Sequence, residues 1–143
     1  MTILIDADGC PVVDPAVKIA AAHKIDCVIF CDTSHVFDKP GAKTVTVSQG
    51  SDSVDFAIAN TVRAGDIVIT QDYGLAAICL ARNAIPISQD GLVYTGENID
   101  ALLLARHTAK KIRMSGGRLK GSLKRTPEQN ALFEKKLKEL LRP

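Results

Sequence analysis

The stretch ILIDADGCPVVDPAVKIA, residues 3–20, decides the fold class, because an apolar run at 3–5 ends in the acids Asp6 and Asp8 and leads to a helix start. Asp14-Pro15 reads as an N-cap followed by Pro at the first helical position, carrying a helix to about Lys24. The same order then recurs. DCVIFC (26–31) is a second strand, DTSHVFDKPGAK (32–43) a loop with a Pro-Gly turn, and TVTV (44–47) a third strand. A helix follows from Ser51 or Asp52, with Val54, Ile58 and Val62 spaced to face the sheet. IVIT (67–70), a short helix in YGLAAICLARN (73–83) and the strand IPI (85–87) complete the pattern. Strands alternating with helices indicate an open, mostly parallel sheet of four to five strands with helices on both faces.

Outward from this core, LVYT (92–95) reads as an edge segment. A helix is expected from about Asn98 to Met114, with Ile99, Leu102, Leu103 and Ile112 docking on the domain. Ser115-Gly-Gly stops it, and RLKGSLKR (118–125) reads as a mobile connection. Thr126-Pro-Glu-Gln then has the form of an N-cap with Pro at N1 and Gln at N3, opening an amphipathic helix with Leu132, Phe133, Leu137, Leu140 and Leu141 on its apolar face.

A chain of 143 residues suits one domain, able to bury roughly 70% of its unfolded surface. With no Trp and few aromatics, its core must rest on Val, Ile, Leu and Ala, as buried parallel strands do. The start MTILIDADGC lacks the basic and long apolar regions of a signal peptide, and no apolar run approaches the roughly 18 residues of a membrane span. A cytoplasmic protein without membrane partners is expected. Cys10, Cys27, Cys31 and Cys79 show no zinc spacing, and Cys27 and Cys31 lie too far apart along one strand to share a disulfide. They read as buried thiols, except Cys10, which follows the acidic turn and is expected near the site.

Charge is divided unevenly. Residues 1–100 carry six Lys and Arg against thirteen acids, a net −7, and residues 101–143 carry twelve against three, a net +9. The chain therefore reads as one domain with an acidic α/β core (1–97) and a basic C-terminal helical extension (98–143). In the extension Arg106, Lys110, Lys111, Arg113, Arg118, Lys120, Lys124 and Arg125 form a cluster able to neutralise phosphates of a nucleic acid. A solvated helix face is the plain alternative.

In the core, Asp6, Asp8, Asp52, Asp55 and Asp72 fall at strand ends or first helical turns. Helix capping explains Asp52, Asp55 and Asp72 singly. Several like charges at neighbouring strand ends, however, repel one another unless protonated or bound to a cation, and hard oxygen ligands suit Mg²⁺ or Mn²⁺. Ligands of open parallel sheets collect beyond the carboxyl ends of the strands, where these acids lie.

The stretches IDADGCPV (5–12), GSDSVDFAIA (50–59) and GDIVITQDYGLA (65–76), with the basic tail and a final Phe-containing helix, resemble the bacterial YaiI/YqxD family, which is grouped with the PIN-like nucleases. The resemblance covers essentially the whole chain. It implies a three-layer PIN-like fold with C-terminal helices and a site of three or four acids holding divalent cations, where a metal-activated water attacks RNA phosphodiester bonds. Asp6 would match the acid ending strand one, Asp55 or Asp52 the acid on the helix after strand three, and Asp72 the acid after strand four. PIN-like nucleases usually carry a further Glu on an earlier helix. No Glu precedes Glu97 here, and Asp8 would stand in its place. Thr70 and Asn60 are candidate supporting donors.

Two other functions fit parts of the pattern. An apolar strand followed by D-x-D also opens the haloacid dehalogenase-like phosphatases, with Asp6 as nucleophile and Asp8 as acid-base. Against this, Cys10 stands where Thr or Val is usual, and neither a downstream paired-Asp motif nor a cap domain is visible. The third reading is a nucleic-acid-binding or adaptor protein with a weak or vestigial site; a homo-oligomer is compatible with all three. His23 and His107 read as helix-surface residues, His35 as a loop residue bordering the crevice, and Tyr73 as packed or lying against a base.

Overall fold

The computed structural model describes residues 1–33, 37–49, 53–116 and 124–142. Five strands, β1 (Thr2–Asp6), β2 (Asp26–Asp32), β3 (Lys43–Val47), β4 (Ile67–Ile69) and β5 (Ile85–Ile87), alternate with helices α1 (Val13–Ala22), α2 (Ser53–Thr61) and α3 (Tyr73–Ala81). Helices α4 (Gly96–Met114) and α5 (Pro127–Leu140) follow. All strand pairings in the sheet are parallel, in the order β3-β2-β1-β4-β5. The chain winds outward from β1 to β3, then returns to the other side of β1 for β4 and β5. That reversal opens a crevice at the carboxyl ends of β1 and β4.

The sheet is buried on both faces, which is why Ile3, Leu4 and Ile5 can be apolar without alternation. Ile3, Ile5, Ile29, Ile67 and Ile69 pack with α1 and with Phe133 and Leu137 of α5. Leu4, Phe30 and Val68 face the opposite way, against Ile58 of α2 and Leu75 of α3. The result is a three-layer α/β structure. Because side chains alternate along a strand, Asp6 shares the parity of Leu4 and points to the α2/α3 layer. No helix among the described residues is long and apolar enough to cross a membrane.

Several boundaries differ from the sequence reading. Helix α1 starts at Val13 because Val12 and Val13 are drawn into the core, so Asp14 lies in the first turn and pairs with Lys39 at 2.8 Å instead of capping. Segment 92–95 makes one antiparallel bridge, Ile87 with Val93, and forms no strand, because Thr95 already caps α4 with a reciprocal Asn98 bond. On α4, Ile99 is buried and Leu102 packs beside it, but Leu103 and Ile112 are exposed. The helix touches α3 through its first turns and then runs past the domain, carrying the later apolar residues into solvent.

Helix α5 is an integral part of the fold. Thr126 and Gln129 form the expected capping box, and Phe133 and Leu137 are fully buried. Gly91 lets the turn after β5 approach it: its φ is +86°, and a Cβ there would stand 2.9 Å from the Leu132 carbonyl oxygen. Phe133→Ala should therefore cost about 3–5 kcal/mol in urea unfolding. Gly91→Ala should also destabilise through clash and a left-handed backbone, with undiminished stability in either variant showing that α5 is not part of the core.

Candidate functional site

Asp6 ends β1 at the mouth of the crevice, and Thr70 follows β4 beside it. The Thr70 hydroxyl donates to Asp6 Oδ2 at 2.8 Å and accepts from the Asp72 N–H at 3.0 Å, so one side chain fixes two of the expected acids. Behind it, the buried Tyr94 hydroxyl donates to the Thr70 carbonyl at 3.2 Å. Asp72 is the N-cap of α3, accepting from Leu75 N–H at 3.1 Å, and a side-chain hydrogen bond joins it to Asp55 in the first turn of α2. Asp8 lies in the turn after β1, where its Oδ2 accepts from Asp32 N–H at 3.2 Å and ties the turn to the end of β2. The crevice thus gathers Asp6, Asp8, Asp55 and Asp72, while Asp52 lies outside the described residues.

Electrostatics distinguish these acids. Burial pushes the Asp6 carboxyl above its usual range; the Thr70 hydrogen bond opposes this, and the charges of Asp72 and Asp8 add to it. Burial also acts to raise Asp72, but hydrogen bonds from Asp55 and the Leu75 and Gly74 N–H groups, with the nearby Arg106 charge, leave it below the usual range. A hydrogen bond between two carboxyls requires a shared proton, which a bound cation can replace. Asp66 provides the contrast: at the opposite end of the sheet its carboxylate accepts the Thr2 and Arg63 N–H groups, each at 2.9 Å, and serves as a structural clasp.

Three spaces open around the acids. A cavity of about 30 Å³, room for a single water or small ion, is bounded by Asp6, Asp8, Cys10, Thr70, Gln71 and Gln89. A larger one of about 650 Å³ lies between Asp6 and Asp72 on one side and Tyr73, Leu102 and Arg106 on the other. A third, beyond Asp55 and Asp72, is walled by the exposed Phe56 and Ile78. Among the described residues no three His, Cys, Asp or Glu side chains form a ready metal-ligand group. Mg²⁺ does not need one, since it commonly takes one or two carboxylates and fills its remaining positions with water and substrate phosphate. The hard-oxygen pair Asp6 and Asp72 fits that requirement.

The basic residues separate into different settings. Arg106, Lys110, Lys111 and Arg113 are exposed along α4, and Lys124 is exposed before α5. Arg125 turns inward, bonding Asp90, the Gln89 carbonyl and Asn130, so its charge holds α5 to the turn after β5. Arg118 and Lys120 lie outside the described residues, as does His35. Asn60 is exposed on α2 and lines none of these cavities, in contrast to Thr70. Cys10 does border the small cavity, and the other three thiols are buried. Gln71, Gln89 and Tyr94 were not among the sequence candidates. Gln71 adjoins Asp72 and was legible as such, but Gln89 and Tyr94 enter only through the fold-back after β5.

Fold and crevice together define an open α/β domain with an acidic pocket at its topological switch point. The chain belongs to the family described as "Uncharacterized BCR, YaiI/YqxD family", whose model matches residues 4–143. It is 52% identical over 141 residues to a UPF0178 protein of Exiguobacterium sibiricum, covering 99% of this chain and 96% of that one. It is 44% identical over 143 residues to a UPF0178 protein of Ruminiclostridium cellulolyticum, covering 100% and 94% respectively. No solved structure matches.

The two shifted acids yield opposite stability tests. A raised folded pKa contributes stability below the unfolded carboxylate range that is lost as pH rises through the folded value, whereas the lowered pKa of Asp72 contributes above the unfolded value and is lost on acidification. In EDTA at pH 7, Asp6→Asn should raise the melting temperature by a few degrees, on the order of 1 kcal/mol. Asp72→Asn should lower it, and both differences should shrink toward pH 3. A lower melting temperature for Asp6→Asn at pH 7 would contradict the assignment.

Proposed function

We propose that this protein is a divalent-metal-dependent PIN-like nuclease that hydrolyses phosphodiester bonds, with RNA as its substrate. The observation that carries the reading is the junction at Thr70, which holds Asp6 and Asp72 together at the switch point while Asp55 shares a hydrogen bond with Asp72. Such an arrangement is costly for folding alone, since burial and the neighbouring charges of Asp72 and Asp8 all disfavour the ionised Asp6 carboxyl.

Asp6 and Asp72 are the residues assigned to hold Mg²⁺ or Mn²⁺, with Asp8 and Asp55 beside them. A cation there would supply charge neutralisation at the phosphate and a bound water of lowered pKa. Thr70 keeps the Asp6 carboxylate oriented by donating to one oxygen, leaving the other oxygen for the crevice. With a cation on Asp72, the neighbouring Asp55 would be the carboxylate placed to accept a proton from an attacking water. Arg106, on the opposite wall, is placed to offset charge on a phosphate.

The second reading, a nucleic-acid-binding protein with a vestigial site, is favoured by the absence of a ready ligand group among the described residues. The two readings separate under metal titration. Mn²⁺ or Mg²⁺ should raise the wild-type melting temperature and support cleavage of a mixed-sequence single-stranded RNA, and Asp6→Asn should lose both while still binding RNA. Salt-sensitive binding with no metal response and no cleavage would select the binding protein. An aspartyl-phosphate formed on Asp6 would instead indicate the phosphatase chemistry.

A further inference from the structure

The wall of the 650 Å³ cavity opposite the acids is built from two elements and two kinds of chemistry. From α3 comes Tyr73, half-buried, its ring held edge-on against Tyr94 with centroids 6.0 Å apart. From α4 come Leu102, Ala105 and Arg106, which share one helix face because they are spaced three and four apart. Among the described residues Arg106 forms no ion pair, although its charge is felt at Asp72. Gln71 also borders the cavity; its side-chain oxygen accepts from Gln89 N–H at 2.8 Å, which leaves its amide NH₂ as a donor.

A ligand suited to this wall has an anionic end for Arg106 and a flat, largely apolar body for Tyr73, Leu102 and Ala105. The size lies within the range of small-molecule sites. We infer that the cavity between α3 and α4 is a subsite for one unpaired nucleotide, its phosphate on Arg106 and its base against Tyr73. A base held in a duplex keeps its faces stacked on its neighbours and cannot lie on the tyrosine, so an unpaired strand is required. The face of α4 that bears Arg106 continues to Lys110 and Arg113, four and seven residues on and about 10 Å along the axis, so further phosphates of the strand follow the helix away from the acids. This subsite deepens the nuclease reading and rests on it for the polymeric substrate, but nucleotide binding itself needs no cleavage.

The test is a binding titration in EDTA, using a short single-stranded RNA, the same strand annealed to its complement, a nucleoside 5′-monophosphate and inorganic phosphate. Wild-type protein should bind the single strand most tightly and the monophosphate more tightly than inorganic phosphate. Tyr73→Ala should weaken single-strand binding about tenfold, with Tyr73→Phe retaining it. Arg106→Gln should weaken it and reduce the salt slope of log K by about 0.7, the loss of one single-strand phosphate contact. Lys18→Gln, on the far layer, should change neither. Equal affinity for duplex and single strand, or unchanged binding in both Tyr73→Ala and Arg106→Gln, would overturn the subsite. The two readings fail separately: the predicted binding pattern without cleavage under any metal supports the subsite and removes the nuclease. Asp6-dependent cleavage with KM unmoved by Tyr73→Ala and Arg106→Gln supports the nuclease and removes the subsite.

Discussion

The hydroxyl of Thr70 donates to Asp6 and accepts from Asp72 N–H, joining the carboxyl ends of β1 and β4 across 64 residues of sequence. Everything at the candidate site is arranged around that junction. It sets the orientation of the Asp6 carboxylate, starts α3 with Asp72 as its cap, and is itself held from behind by the Tyr94 hydroxyl. The burial that raises Asp6 and the donors that lower Asp72 act on groups joined through a single hydroxyl, so the two acids differ in proton affinity despite their proximity.

Beyond the sheet, the last third of the chain divides its work. Helix α5 contributes two fully buried side chains to the core and is clamped through Arg125 to the turn after β5. That turn carries Gln89 to the rim of the small cavity, so the C-terminal helix supports the site from a distance. Helix α4 does the opposite. Anchored at Ile99 and Leu102, it projects its basic residues past the crevice, where they are solvated and available to phosphates. The charge asymmetry of the chain is therefore not spatially uniform: part is spent on structure and part is exposed beside the acids.

Much of this was legible before any fold was known. The alternation of apolar strands with helices, the acids at strand ends, the buried thiols and the capping box of α5 all depend on residues close in sequence, whose preferences are local. Asp72 as a helix cap was legible for the same reason, whereas Thr70 and Asn60 were named together as candidate donors and only the pairing of β1 with β4 sets Thr70 against Asp6. Asp14 was misread because the capping signal competed with the burial of Val12 and Val13, and packing prevailed. Leu103 and Ile112 were misread because apolar residues on a helix do not say where the surface they would cover comes to an end.

By itself, the sequence determined the element types, the acidic character of the carboxyl ends of the strands and the membership of Asp6, Asp55 and Asp72 in strand ends and helix starts. Only the tertiary structure decided that β4 pairs with β1, that Asp55 reaches Asp72, and that Arg125 turns inward while Arg106 faces a cavity. Local signals are carried by a few neighbouring dihedrals and side chains. Strand order and charge placement depend instead on contacts between distant segments, formed only when the apolar faces of the whole sheet are covered together.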